Sequence, residues 1–129
     1  MELLAIVTIL ALLQLLVFAS DVGKARMRTG IKAPAMGGHP DLERHQRVHQ
    51  NTIEQLVIFL PALWLFGTYL HEMAAAALGI LFIIGRFMYR SGYVEDPAKR
   101  HNGFMVGIAA TVILLLGGLV GAALSLLRG

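Results

Sequence analysis

Four long apolar stretches follow one another along the chain and are separated by polar segments. They are Leu3–Ala19, Leu56–Leu70, Met73–Met88 and Phe104–Leu127. A membrane-spanning helix needs about 20 residues, so the second and third stretches are long enough only if their helices continue through the polar ends. We therefore predict an all-α fold, a single domain built as an integral membrane four-helix bundle. Its spans are expected at about residues 3–25, 42–70, 73–93 and 97–127.

Composition supports a membrane protein and limits its chemistry. Hydrophobic residues make up 57% of the 129 residues and charged residues 15%, whereas soluble domains are about 45–50% apolar and about 25% charged. The chain contains no cysteine, which excludes disulfides, thiolate metal sites and a protein thiol nucleophile. A signal peptide has basic residues before its apolar stretch. Here Glu2 precedes the stretch and the basic residues Lys24, Arg26 and Arg28 follow it, so we expect a retained span.

Basic residues are distributed unevenly between the predicted connections. Those around the first connection are Lys24, Arg26, Arg28, Lys32, Arg44 and Arg47, and those around the third are Arg86, Arg90, Lys99 and Arg100. The second connection holds only His71 and Glu72. Because basic loops stay on the cytoplasmic side, the first and third connections are predicted to be cytoplasmic and both termini to lie on the opposite side.

Two stripes of polar side chains run along the second and third predicted helices. They are Arg47, Asn51 and Glu54 on the second helix and Arg86, Tyr89 and Tyr93 on the third. Residues spaced three and four apart share one face of a helix. Each stripe lies at the end of its span that meets a basic connection, so we expect the two to converge at similar depth. Ionisable groups in a membrane span are costly and mark functional sites.

The side chains of these stripes complement a small peptide with several charges. Arginines donate charge-assisted hydrogen bonds to carboxylates, a glutamate accepts from an ammonium group, and an asparagine both donates and accepts. Glutathione, with two carboxylates, one amine and a thiol, fits this set, and a neighbouring arginine would stabilise its thiolate. The same stripes could instead be salt bridges that hold helices together, and the spacing leaves both interpretations open.

Three segments in order resemble the MAPEG family, membrane-associated proteins in eicosanoid and glutathione metabolism. They are Arg47–Glu54, Gly85–Tyr93 and Pro97–Gly103. The likeness is closest to the microsomal glutathione S-transferases of the second and third types and to the leukotriene C synthase branch, and it covers about residues 40–125. It implies a homotrimer of twelve helices, with one glutathione held at each subunit interface near the cytoplasmic face.

The resemblance also implies a role for each matching residue. Arg100 would be catalytic, because a guanidinium at the start of the fourth helix favours a thiolate. The residues implied to bind glutathione are Arg26, Arg47, Asn51, Glu54, Arg86, Tyr89 and Tyr93. The implied function is a glutathione transferase for lipophilic electrophiles that uses no metal, with glutathione-dependent peroxidase activity on lipid hydroperoxides as a further expectation.

Two positions depart from particular branches of the family. Gln55 stands where the leukotriene-forming branch has a tyrosine, and His101 follows Arg100 where the prostaglandin E synthases have a serine. The first departure argues against a leukotriene-forming substrate and the second against that isomerase activity, whereas His49 and Gln50 match the transferase-like members. The alternative is a non-catalytic lipid-binding or scaffold member of the same fold. His45 and His49 share a helix face but have no third ligand in register, so we interpret them as interface polarity rather than a metal site.

Overall fold

A computed structural model describes the whole chain, residues 1–129, as four long helices without strands. They are α1 (Glu2–Thr29), α2 (Pro40–Tyr69), α3 (Glu72–Glu95) and α4 (His101–Arg128), with a one-turn 3₁₀ helix, Pro97–Arg100, that leads directly into α4. All four are long and apolar enough to cross a membrane. The predicted all-α four-helix fold is confirmed.

Side-chain caps and one glycine set the helix ends near the first and third connections. Gly30 ends α1 in the left-handed region, at φ 74°, and its N–H donates to the carbonyl of Arg26, as glycine commonly does after a helix. The imidazole of His39 accepts from the Asp41 N–H at 3.1 Å to start α2. Asp96 accepts from the Ala98 N–H at 3.1 Å, so the chain re-enters helix immediately after α3.

Helices α2 and α3 lie at the centre of the bundle, and α1 and α4 flank them. The Phe59 and Phe82 rings stack with their centroids 3.8 Å apart and join α2 to α3. A Cβ built on Gly85 would lie 2.8 Å from the backbone nitrogen of Gly107, so α3 and α4 approach each other backbone to backbone. Such close approach through small residues is typical of membrane helix packing.

Polar contacts also tie α1 to α3 inside the bundle. Gln14 Nε2 donates to the Ile83 carbonyl at 2.8 Å. About two turns further along α1, Asp21 Oδ2 accepts from Arg90 Nε of α3 at 2.7 Å, and the Asp21 side chain is only 11% exposed. Because hydrocarbon offers no hydrogen-bond partner, these contacts satisfy polar groups that lipid could not.

The outer surface of the helices is rich in large apolar side chains. Leu16, Val57 and Leu119 are each exposed over about two thirds of their surface. A soluble protein rarely exposes such continuous apolar surface, whereas the apolar surface of a membrane bundle is in contact with lipid chains. This distribution supports an integral membrane protein.

Candidate functional site

A cavity of about 410 Å³ opens where α2, α3 and the start of α4 meet. Its wall consists of two arginines, one amide, two phenols and one phenyl ring. These side chains are Arg47, Asn51, Tyr89, Tyr93, Arg100 and Phe104. The wall contains no carboxylate, so its formal charge is positive.

The two cavity arginines are largely free to meet a ligand. Arg100 Nη1 donates to the Pro97 carbonyl at 2.7 Å and forms no ion pair. Arg47 lies 3.5 Å from a Glu54 oxygen, and the two side chains are 49% and 60% exposed, which makes a weak surface pair. Two such cations beside one concave surface attract an anion.

The two phenols form the part of the wall contributed by α3. The Tyr89 ring lies 5.6 Å from that of Tyr93 and 6.0 Å from that of Phe104, measured between centroids. Neither tyrosine hydroxyl makes a hydrogen bond within the chain, although both residues line the cavity. Both hydroxyls can therefore donate to a ligand.

Behind this wall lies a buried arginine, Arg86, whose side chain is 1% exposed. Its Nη2 donates to Asn51 Oδ1 at 2.8 Å and to Thr52 Oγ1 at 2.9 Å. Its guanidinium lies 4.3 Å from the centroid of the Tyr89 ring, within the range of a cation–π contact. Arg86 thus contacts two residues of the wall but does not itself line the cavity.

Five of the eight site residues predicted from sequence line this cavity. They are Arg47, Asn51, Tyr89, Tyr93 and Arg100. Glu54 lies next along the α2 stripe, outside the lining, where it contacts Arg47. Phe104 lines the cavity and is not among the predicted residues. Its signal in the sequence is its position four residues after Arg100, which places it on the same face of the chain as it enters α4.

Arg26 is placed apart from the other predicted residues within the single chain. Its Nη1 donates to the Ala35 carbonyl at 2.6 Å and reaches the Ile31 carbonyl at 3.5 Å. It lines a separate groove of about 400 Å³ beside the end of α1, together with Met27. Within the chain, therefore, Arg26 organises the first connection rather than the cavity.

Salt bridging between helices, the alternative for the two stripes, occurs elsewhere in the bundle. Two pairs of side chains form ion pairs between helices, Asp21 with Arg90 and Arg28 with Asp41, and none of these residues belongs to a stripe. Within the stripes the one ion pair is Arg47 with Glu54 on the same helix. The hydrogen bonds of Arg86 go to neutral oxygens only.

Neither of the two α2 histidines, His45 and His49, lines the cavity. His45 is buried, and its Nε2 lies 3.6 Å from Asp41 Oδ1. No group of three or more histidine, cysteine, aspartate or glutamate side chains is arranged to hold a metal ion.

Comparison with known proteins assigns the chain to a family. The sequence model of the MAPEG family matches residues 4–120. The chain belongs to the MAPEG family. This MAPEG chain is 43% identical over 116 residues to an uncharacterised protein of Synechocystis, covering 90% of this chain and 85% of that protein. It is 41% identical over 125 residues to microsomal glutathione S-transferase 2 of Homo sapiens, covering 97% of this chain and 85% of that protein.

A third relative broadens the range of activities within this MAPEG group. Leukotriene C4 synthase of Rattus norvegicus is 32% identical over 127 residues, covering 98% of this chain and 85% of that protein. The predicted resemblance to MAPEG transferases and leukotriene-forming enzymes is confirmed. Family membership and four apolar helices identify an integral membrane protein.

Proposed function

We propose that the protein is a membrane-bound glutathione transferase that presents glutathione as a thiolate to lipophilic electrophiles. The observation that carries this proposal is the cavity wall, with two arginines, an amide and two free phenols but no carboxylate. Such a set of donors complements a peptide with two carboxylates and a thiolate. The similarity to a human microsomal glutathione S-transferase supports the same ligand.

Arg100 is the residue proposed to stabilise the thiolate. It lines the cavity at the point where the chain enters α4 and has no acidic partner. A guanidinium stays charged at any relevant pH, and the positive end of a helix dipole adds to its field. Arg47 and Asn51 would bind a carboxylate of glutathione, and the hydroxyls of Tyr89 and Tyr93 would donate to its remaining acceptors. Glu54 would accept a hydrogen bond from the ammonium group of glutathione.

The proposed reaction is a substitution at an electrophilic carbon. The thiol proton leaves to solvent, and the thiolate sulfur then attacks the carbon with its lone pair. A carbon–sulfur bond forms while the bond to the leaving group breaks, and the leaving group departs with the bonding electrons. The cationic groups offset the cost of placing the thiolate in a poorly solvated cavity. Reduction of lipid hydroperoxides would use the same thiolate and stays a prediction.

Assembly as a homotrimer is part of the proposal. In one subunit Arg26 lies away from the cavity and Glu54 is 60% exposed, so a site completed between subunits would give both residues a role. A homotrimer in detergent should have three times the 14.0 kDa mass of the chain by native mass spectrometry. A monomer that is fully active would contradict this assembly.

The function is tested by glutathione conjugation of a generic aryl halide in detergent. Arg100→Ala should lower the rate by about 10²-fold or more, the effect of losing a group that stabilises developing negative charge. Lys99→Ala is the matched control, because Lys99 pairs with Glu95 at 2.8 Å and does not line the cavity. Its rate should equal that of the wild type.

Two results would oppose the proposal. Equal conjugation rates in the wild type and Arg100→Ala would show that Arg100 does not take part in the reaction. No conjugation in any variant, together with a melting temperature that glutathione does not raise, would instead favour the non-catalytic lipid-binding or scaffold protein. A bound ligand stabilises the folded state by mass action, so this melting measurement tests the site without relying on turnover.

A further inference from the structure

Arg86 is a buried cation that no carboxylate neutralises. Its side chain is 1% exposed, and its two hydrogen-bond acceptors are the neutral oxygens of Asn51 and Thr52. Burying a charge without a counter-ion is costly. In a membrane helix such a residue indicates a function. Since Arg86 does not line the cavity, it can influence a ligand only through the residues that it contacts.

The contact with Arg86 decides which way the Asn51 amide faces. A guanidinium has donors and no acceptor, so the amide must turn its Oδ1 toward Arg86. Their distance of 2.8 Å agrees with this orientation. The Asn51 Nδ2 then points away from Arg86, and it makes no hydrogen bond within the chain although Asn51 lines the cavity. Asn51 therefore offers the cavity donors only.

Two further contacts hold the guanidinium in this position. The Thr52 hydroxyl donates to the Val48 carbonyl at 2.8 Å, which leaves its lone pairs to accept from Arg86. The Tyr89 ring covers the guanidinium at 4.3 Å. A hydroxyl and an amide oxygen thus accept from Nη2 of Arg86 while an aromatic ring covers the guanidinium, and the direction of the Asn51 amide follows from these contacts.

We propose that Arg86 is a positioning residue that fixes the Asn51 amide with its N–H groups facing the cavity. The Asn51 subsite then selects a hydrogen-bond acceptor on the ligand, a carboxylate or a peptide carbonyl, and discriminates against a donor such as an ammonium group. This assignment rests on the proposed function, since glutathione is the ligand that supplies the acceptor. It replaces the expectation that Arg86 contacts glutathione directly.

A double-mutant cycle on glutathione affinity tests the proposal. Isothermal titration in detergent would give Kd for the wild type, Arg86→Met, Asn51→Ala and the double variant. Each single substitution should raise Kd roughly tenfold, the effect of losing one hydrogen bond to a charged group. The double variant should bind no more weakly than Asn51→Ala, because Arg86 acts only through that side chain. An unchanged Kd in Arg86→Met, or effects that multiply in the double variant, would overturn the proposal.

Two other variants keep the test decisive if Arg86→Met does not fold. Arg86→Lys retains a donor and should recover most of the affinity. Asn51→Asp keeps an oxygen toward Arg86 and supplies a counter-ion, but it replaces the donors with a second acceptor, so the melting temperature should be at least that of the wild type while glutathione binding is lost. Wild-type affinity in Asn51→Asp would overturn the proposal.

Glutathione binding by the wild-type protein separates the role of Arg86 from the proposed function. A wild-type protein that binds no glutathione would refute the proposed function and this assignment with it. A wild-type protein that binds glutathione, with Arg86→Met binding equally well, would refute only the role of Arg86.

Discussion

Gly103 on α4 packs directly on Tyr89 of α3, so closely that a Cβ built on Gly103 would overlap the Tyr89 backbone nitrogen. No side chain other than hydrogen fits between the two backbones. This contact lies between Arg100 and Phe104 along the chain, and both of those residues line the cavity together with Tyr89. The glycine therefore sets how closely Arg100 and Phe104 approach Tyr89.

Gly103→Ala should both destabilise the protein and slow the reaction. The added methyl group has to move α4 away from α3, and overpacking of this kind costs about 1–3 kcal/mol. Arg100 and Phe104 would move with α4, so the conjugation rate should fall as well. Thermal unfolding and the aryl halide assay measure the two effects.

Gly23→Ala is the matched control for Gly103→Ala. A Cβ on Gly23 would meet no atom within 4 Å, and alanine favours a helix over glycine by about 1 kcal/mol. This variant should therefore be fully active and at least as stable as the wild type. Equal losses in the two variants would show that the Gly103 contact is unimportant.

Asp21→Asn should lower the melting temperature. The substitution weakens the ion pair between α1 and α3, and because the Asp21 side chain is only 11% exposed, it should cost about 1–3 kcal/mol. Glu95→Gln is the control, since its pair with Lys99 is more than half exposed on both sides and such pairs contribute about 0–1 kcal/mol. If the two variants melted at the same temperature, the Asp21 pair would not stabilise the bundle.

The absence of cysteine makes the membrane orientation directly measurable. Single cysteines can be introduced by Ala35→Cys in the first connection, Ala98→Cys in the 3₁₀ helix that follows α3, and Met73→Cys in the first turn of α3, next to the second connection. A membrane-impermeant maleimide added to intact cells should label Met73→Cys alone, because basic connections stay cytoplasmic. Labelling of Ala35→Cys or Ala98→Cys from outside would reverse the predicted orientation.

Hydrophobic pattern and residue spacing were sufficient to predict the helices and much of the cavity wall. The i, i+4 spacing of Arg47 and Asn51 and of Tyr89 and Tyr93 places each pair on one face, and all four residues line the cavity. Periodicity identifies the face of a helix. It does not say which helix that face will meet.

The residues outside the cavity show the limit of that reasoning. Arg86 shares a helix face with Tyr89, yet its guanidinium donates to Asn51 and Thr52 of α2 and therefore lies outside the cavity lining. Arg26 is held by the Ala35 carbonyl of an irregular connection, whose path no periodicity describes. The contact of Gly103 with Tyr89 depends on how α4 crosses α3, which is a property of packing rather than of either helix alone.

The most direct test of thiolate formation beside Arg100 is a pH titration of bound glutathione by ultraviolet difference absorbance. A nearby cation lowers the pKa of a thiol, which is about 8.5 for an isolated cysteine. The thiolate signal of the wild-type complex should therefore appear at lower pH than that of free glutathione, and conjugation should rise over the same pH range. In Arg100→Ala both curves should move to higher pH, whereas in Lys99→Ala they should stay in place. A bound thiol that titrates like free glutathione in the wild type, or identically in wild type and Arg100→Ala, would contradict the account.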